Sequence, residues 1–201
     1  MLGKSGVRYN QSVADELTVL LEASAEQVAQ RVLGSLLVRE FDGQLLVGRI
    51  VETEAYDQHD AASHSYRGRT PRTDVMFGPA GHLYVYFTYG MHYCCNIVCG
   101  PTGEGAAVLI RALEPLEGHA SMGIRRRGMT GKQLTNGPAK LCQALGIDQR
   151  LNNHDLHRPP LELIIQPAMS EKQIVVTTRI GISQSVEMPR RYYIRGNNYV
   201  S

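Results

Sequence analysis

Glu52, Glu54 and Tyr56 recur at every second position of the apolar stretch VGRIVETEAY, so in an extended strand their side chains leave on one face. A carboxylate that ends such a strand, followed by a ring and a polar loop, is placed either to act as a general base at a pocket mouth or to sit exposed at a strand end. A second stretch, HLYVYFTYGMHYCCN over residues 82–96, carries four of the ten tyrosines. In it Leu83, Val85 and Phe87, expected in the core, alternate with Tyr84, Tyr86 and Thr88, which present rings that also bear hydroxyls. Gly90 then breaks the alternation between Tyr89 and Met91, where the backbone is free to turn and lift a side chain out of the sheet. Asn96 lies among apolar residues and is either a satisfied core amide or a group that reads hydrogen-bonding edges. Arg111 interrupts AAVLIRAL, and a buried guanidinium needs anionic or carbonyl partners. His64, in a polar loop, is a candidate ligand, base or stacking ring, or a plain surface residue.

The elements that must position these groups follow from periodicity. Residues 15–36 read as helical, with Ser24 capping a second helix. Residues 35–40 and 44–54 read as a hairpin around Asp42-Gly43. Residues 57–81 form a long connection containing Arg67, Arg69 and Arg72, a length that marks a functional or disordered loop. Further strands are expected at 82–88, 106–112, 159–166, 173–182 and 191–195, a helix or turn at 113–121, and a helix at 139–145 led by Pro138. The basic run GIRRRGMTG, residues 123–131, is either a solvated patch or an anion-contacting loop. Together these predict an α+β chain: a single mixed domain over residues 1–201 with a largely antiparallel sheet, preceded by a loosely held arm at residues 1–10.

Composition narrows the class. The 201 residues are 43% hydrophobic with a net charge of +2, a size and balance that suit one sizeable core. Only four of the 21 basic residues are lysines, and arginine favours bidentate phosphate contacts. Cys94, Cys95, Cys99 and Cys142 lack paired metal-ligand spacing and read as free core thiols; no metal is expected. Neither a signal-peptide run nor an eighteen-residue apolar window occurs, so a soluble, intracellular protein without membrane contact is expected.

In the same order along the chain, VETEAY, HSYRGRTPR, MFGPAGHLYVYFTYGMHYCCN, VLIRALEPLEG, NGPAKLCQALGI, RIGI and RRYYIRG resemble the alkyladenine (3-methyladenine, alkylpurine) DNA glycosylases, over residues 9–201. The resemblance implies a curved antiparallel sheet flanked by helices, excision of damaged purines from double-stranded DNA, and no cofactor. Glu54 then matches the glutamate that activates water, and Arg111 the arginine near that water. Tyr56, His64 and Tyr86 match the rings that sandwich an extruded base, a known route to an atom hidden in a stack. Tyr89 matches a side chain that intercalates from the minor groove. Asn96 matches the amide that disfavours guanine, while Arg69, Thr70, Met91 and Gly181 match positions lining DNA or the base pocket.

The expected activity is therefore monofunctional hydrolysis of the N-glycosidic bond of alkylated and deaminated purines, by a monomer located where the DNA is, in cytoplasm, nucleoid or nucleus. A non-catalytic binder of distorted duplex is the alternative, and the presence of Glu54 and Arg111 speaks against it. A metal-dependent nuclease would need clustered carboxylates. A Schiff-base mechanism would need a desolvated lysine, and of Lys4, Lys132, Lys140 and Lys172 only Lys140 lies in a matched motif.

Overall fold

The computed structural model describes residues 11–88 and 90–201, and of residues 11–15 the backbone alone. The arm at residues 1–10 and Tyr89 lie outside the described residues. Two helices open the chain, α1 (Gln11–Leu21) and α2 (Ala25–Arg31). Ser24 caps α2 in a reciprocal box with Gln27, which satisfies amides that the first turn cannot pair. The helical stretch stops short of Leu36, which already belongs to β1 (Leu36–Phe41). Asp42 and Gly43 take φ of 49° and 72°, the twist that lets a two-residue turn return the chain as β2 (Gln44–Tyr56).

The remaining strands are β3 (Leu83–Thr88), β4 (His92–Val98), β5 (Ala107–Glu117), β6 (Leu161–Ile164), β7 (Ile174–Thr177) and β8 (Arg191–Ile194). Helices α3 (His119–Arg125) and α4 (Pro138–Leu145) follow β5. The strands pair antiparallel in the order β3-β4-β5-β2-β1-β6, with β8 on β2 and β7 on β8, in a curled half-barrel. The expected α+β architecture is thus observed. Residues 113–117 extend β5 instead of beginning a helix, and the strand expected over 173–182 ends at Thr177.

The longest strand, β2, is the spine. One edge pairs with β5 from Val47 to Tyr56, while the other pairs first with β1 and then, at Glu52 to Glu54, with β8. Where the partner changes, the β2–β5 register slips twice, between Ile50 and Glu52 and again between Glu52 and Thr53. Such bulges reverse which face a residue occupies. Ile50 and Ala55, of opposite parity, both reach the core, as do Ile110 and Leu113 on β5. The slip therefore turns Glu52 and Glu54 away from the core face, where strict alternation from Ile50 would have driven Glu52 into it; Arg111 leaves that face by its plain alternation with Ile110.

Helix α2 packs on β2, and the Thr53 hydroxyl donates to the Ala29 carbonyl at 2.8 Å inside that contact. Thr53→Val should lower the unfolding free energy by about 1–3 kcal/mol by stranding a buried carbonyl. Chemical denaturation measures this, and an unchanged midpoint would show that the bond does not fasten α2 to the spine.

Candidate active site

Glu54 is fully buried, and its two oxygens are held by donors from three elements. Oε2 accepts the Tyr56 hydroxyl at 2.8 Å and stands 3.2 Å from Nη1 of Arg111; Oε1 accepts the Ile180 amide at 2.8 Å. Arg111 also places Nε 3.3 Å from Oε1 of Glu52, off the line of the N–H, so that contact is coulombic and not a hydrogen bond. Glu52, equally buried, takes Arg191 on Oε1 at 2.7 Å and the Ser201 amide on Oε2 at 2.7 Å. Two carboxylates thus face two guanidiniums, which is what burial of like charges at this distance requires.

Beside Glu54 opens a cavity of about 450 Å³, whose lining includes Tyr56, His64, Tyr84, Tyr86, Asn96 and Arg111. Tyr84 and Tyr86 stack at 5.6 Å, and His64 meets Tyr86 edge-on at 4.5 Å while its Nδ1 lies 3.0 Å from the Tyr84 hydroxyl. The alternation of β3 accounts for this wall, since Tyr84, Tyr86 and Thr88 all line the cavity. Leu83 and Val85 enter the core on the opposite face, but Phe87 is 48% exposed and leans on Tyr93.

Burial, then the charge of Glu54, pushes the Tyr56 phenol up, so it stays protonated and donates. Burial likewise raises Tyr86, and it moves the Cys94 thiol beside it up to about 11. All four cysteines are free and buried. Asn96 donates Nδ2 to the Tyr84 carbonyl at 3.2 Å, which uses one of the hydrogen-bonding positions of its amide and leaves the group at the cavity wall.

The long 57–81 connection is fastened from below. Asp60 receives both terminal nitrogens of Arg179 in a fully buried pair, and the same guanidinium donates to the Ala55 carbonyl at 3.0 Å and lies 4.6 Å from the Tyr56 ring centroid. Burial would raise the Asp60 carboxyl, but the bonds from Arg179 and the Ala62 amide outweigh it and hold it below the usual carboxylate range. One residue beyond Arg179, the Ile180 amide reaches Glu54. Higher in the loop, the Ser65 hydroxyl donates to the Gly105 carbonyl at 2.8 Å; a Cβ on Gly105 would come within 2.6 Å of Phe77 and Ser65, so only glycine allows this approach.

The structure therefore brings Glu54, Arg111, Tyr56, His64, Tyr86, Asn96 and Gly181 to one cavity. Arg69 and Thr70 do not line it: Arg69 is exposed and paired to Asp74 at 2.6 Å, and Thr70 bonds Thr73. Met91 is 69% exposed at the β3–β4 tip beside Gly90, whose φ is 68°. Sequence reasoning passed over Asp60, Arg179 and Ile180. The pair Asp60 and Arg179 lies 119 residues apart without a local signal, whereas Tyr84 shared the visible alternation of Tyr86. Among the described residues no group of three or more His, Cys, Asp or Glu could hold a metal ion, and no helix is long and apolar enough to cross a membrane.

Residues 19–198 match the model of the methylpurine-DNA glycosylase family. The chain is 54% identical over 175 residues to a protein of Carboxydothermus hydrogenoformans, covering 87% of this chain and 92% of that one. It is 48% identical to a protein of Methanoculleus marisnigri over 90% and 95% of the two chains, and 43% identical to one of Francisella tularensis over 93% and 98%. All three relatives bear the name "Putative 3-methyladenine DNA glycosylase".

His64 keeps an exposed edge, yet burial of its ring among the tyrosines, and then the Arg72 guanidinium, bring its pKa down to about 4. The folded value lies below the unfolded one, so the unfolded chain takes up the proton first and folding stability falls as pH drops from about 6.5 toward 4. An NMR titration should show the His64 ring neutral through pH 5, with a higher midpoint in Arg72→Gln. A wild-type midpoint near 6.5 would contradict the packing described.

Proposed function

The chain belongs to the methylpurine-DNA glycosylase family, and from that premise we propose that its aromatic cavity receives one damaged purine extruded from duplex DNA, whose N-glycosidic bond is hydrolysed by water activated at Glu54. The observation that carries this reading is the state of Glu54. An ionised carboxylate offers about four acceptor positions; the Tyr56 hydroxyl and the Ile180 amide take two of them, and Arg111 adds its charge at 3.2 Å. A position left over, on a group held rigidly at the cavity, suits a water aimed at the sugar carbon. The negative charge also favours the cationic sugar that develops as the bond breaks.

The rings supply the binding. Tyr56 on one side and the His64–Tyr86 pair on the other offer faces to a flat base, and stacking of this kind contributes about 1–3 kcal/mol per base. A neutral His64 receives a positively charged alkylpurine without repulsion. Such a base is already a good leaving group, so Glu54 and water suffice; a neutral base such as hypoxanthine also needs protonation. Among the described residues no lysine lines the cavity, and Lys140 is turned to Asn136 and Gln133, which supports monofunctional hydrolysis. At the rim, exposed Phe87 and Met91 flank the β3–β4 tip, apolar groups of the kind that enter a minor groove, and Tyr89 between them is the proposed wedge that fills the vacated stack. A protein with this activity works as a monomer on damaged duplex DNA inside the cell.

Glu54→Gln keeps the shape of the side chain but cannot accept a proton from water. It should abolish single-turnover base release while lesion affinity stays within about tenfold; undiminished excision would remove Glu54 from the reaction. Asn96→Ser separates two roles at the cavity wall. If the amide crowds the amino group of guanine, the smaller serine raises excision of guanine-type bases relative to hypoxanthine. A merely structural amide would lower stability and leave that ratio unchanged.

A further inference from the structure

The segment TPRTD, residues 70–74, sets one more charge against the base cavity. Pro71 fixes the first corner of a tight turn, which the Thr73 amide closes on the Thr70 carbonyl at 3.0 Å. The Thr73 hydroxyl is buried and pins the turn, accepting the Thr70 amide at 2.9 Å and donating to the Gly68 carbonyl at 3.2 Å. Arg72 therefore leaves a braced backbone, and its guanidinium lies over the Tyr86 ring, 5.8 Å from the centroid. Its charge is not matched. Arg72 pairs with no carboxylate among the described residues, and Asp74, two positions on, is taken by Arg69 at 2.6 Å.

That charge is felt within the aromatic wall. Burial raises the Tyr84 phenol and Arg72 opposes the rise, while at His64 Arg72 adds to burial in disfavouring the imidazolium. Arg111, which lines the cavity, faces Glu52 and Glu54 and is compensated by them. Arg72 is different: it meets the wall from outside the lining, with its positive charge left to act on whatever the rings enclose.

We propose that Arg72 sets the balance between two classes of lesion, favouring excision of electrically neutral purines and holding back cationic ones. The proposal rests on the reading above, in which a damaged base enters between Tyr56 and the His64–Tyr86 pair. As the bond from C1′ to the base breaks, its electron pair passes to the base, the water oxygen bonds C1′ and the water proton goes to Glu54. A neutral purine such as hypoxanthine then departs with net negative charge. Arg72 stabilises that charge across the Tyr86 ring until the base takes a proton from solvent, which eases the demand for a protonated leaving group. An alkylpurine arrives already positive, and one net positive charge stays beside Arg72 from entry through bond breaking, so the same guanidinium opposes it. Across one ring and one stacking distance, roughly 9 Å, with an effective dielectric of about 20 and screening at an exposed side chain, a unit charge changes a rate on the order of tenfold.

The test compares two duplexes of one sequence, bearing either 7-methylguanine or hypoxanthine. The second-order rate constant of excision is measured with enzyme in excess but below saturation, at about pH 8, above the ordinary histidine range, so that His64 is neutral in every variant. Any affinity that Arg72 lends to DNA at large cancels in the ratio of the two constants. Arg72→Gln should raise the ratio of 7-methylguanine to hypoxanthine excision about tenfold. Arg72→Lys, which keeps the charge, should hold it within about twofold of wild type, as should Arg67→Gln at an exposed loop position. Thermal stability should be kept, because Arg72 is exposed. An unchanged ratio in Arg72→Gln, even with an equal loss on both lesions, would reduce Arg72 to an ordinary contact and overturn the proposal. A shift shared by Arg72→Lys would assign the effect to shape, and one shared by Arg67→Gln to the general field; either overturns it too. A wild type that releases neither base would instead overturn the reading of the whole site.

Discussion

The placement of Arg111 between two fully buried carboxylates is the constraint from which the rest of the site follows. Moving an ion out of water costs several kcal/mol even after relaxation, so neither Glu52 nor Glu54 is tolerable there without a fixed cation and further hydrogen bonds. Arg111 contacts both acids, and Arg191 with the Ser201 amide completes the surroundings of Glu52. Because these partners arrive from β5, β8 and the chain's last described residue, the site exists only when the spine strand has received its neighbours on both edges. In the proposed reaction Glu54 keeps an acceptor position for water, and a base held by fixed contacts orients water better than a mobile one.

The same logic extends outward in two steps. The Asp60–Arg179 pair ties the long polar loop to the segment that donates the Ile180 amide, so one buried contact links the loop wall of the cavity to a hydrogen bond on Glu54. Arg179 also backs the Tyr56 ring, whose hydroxyl closes the circuit on Glu54. Beyond the cavity the demands reverse: Phe87 and Met91 at the β3–β4 tip and Arg127 between α3 and α4 stay exposed to water.

How much of this was legible in the sequence depends on the range of the interaction. The Asp42-Gly43 turn, the Ser24 cap and the face shared by Glu52, Glu54 and Tyr56 are local and could be read from a few neighbours, although that face looks away from the core only because bulges reset the strand after Ile50. Bulges leave little local trace, and although Arg111 simply alternates with Val108 and Ile110, the sequence showed its need for partners and not which carboxylates it meets. The tyrosines of β3 followed their alternation, but Phe87, near the end of the strand, is half exposed and packs on Tyr93 alone among the rings. Asp60 and Arg179 stayed invisible because nothing within either segment announces the other. Arg69 and Thr70 were suggested by resemblance alone, and the fold keeps both off the cavity wall.

The central claim is that a buried carboxylate, through water and without a metal or a covalent protein intermediate, releases a damaged base. The most direct measurement is a single-turnover incubation of the wild-type chain with a duplex bearing one alkylated adenine, in excess chelator and with borohydride present. The account predicts free base, an abasic site in an unbroken strand and no protein–DNA adduct. A trapped adduct, a cut strand, or loss of base release on chelation would contradict it.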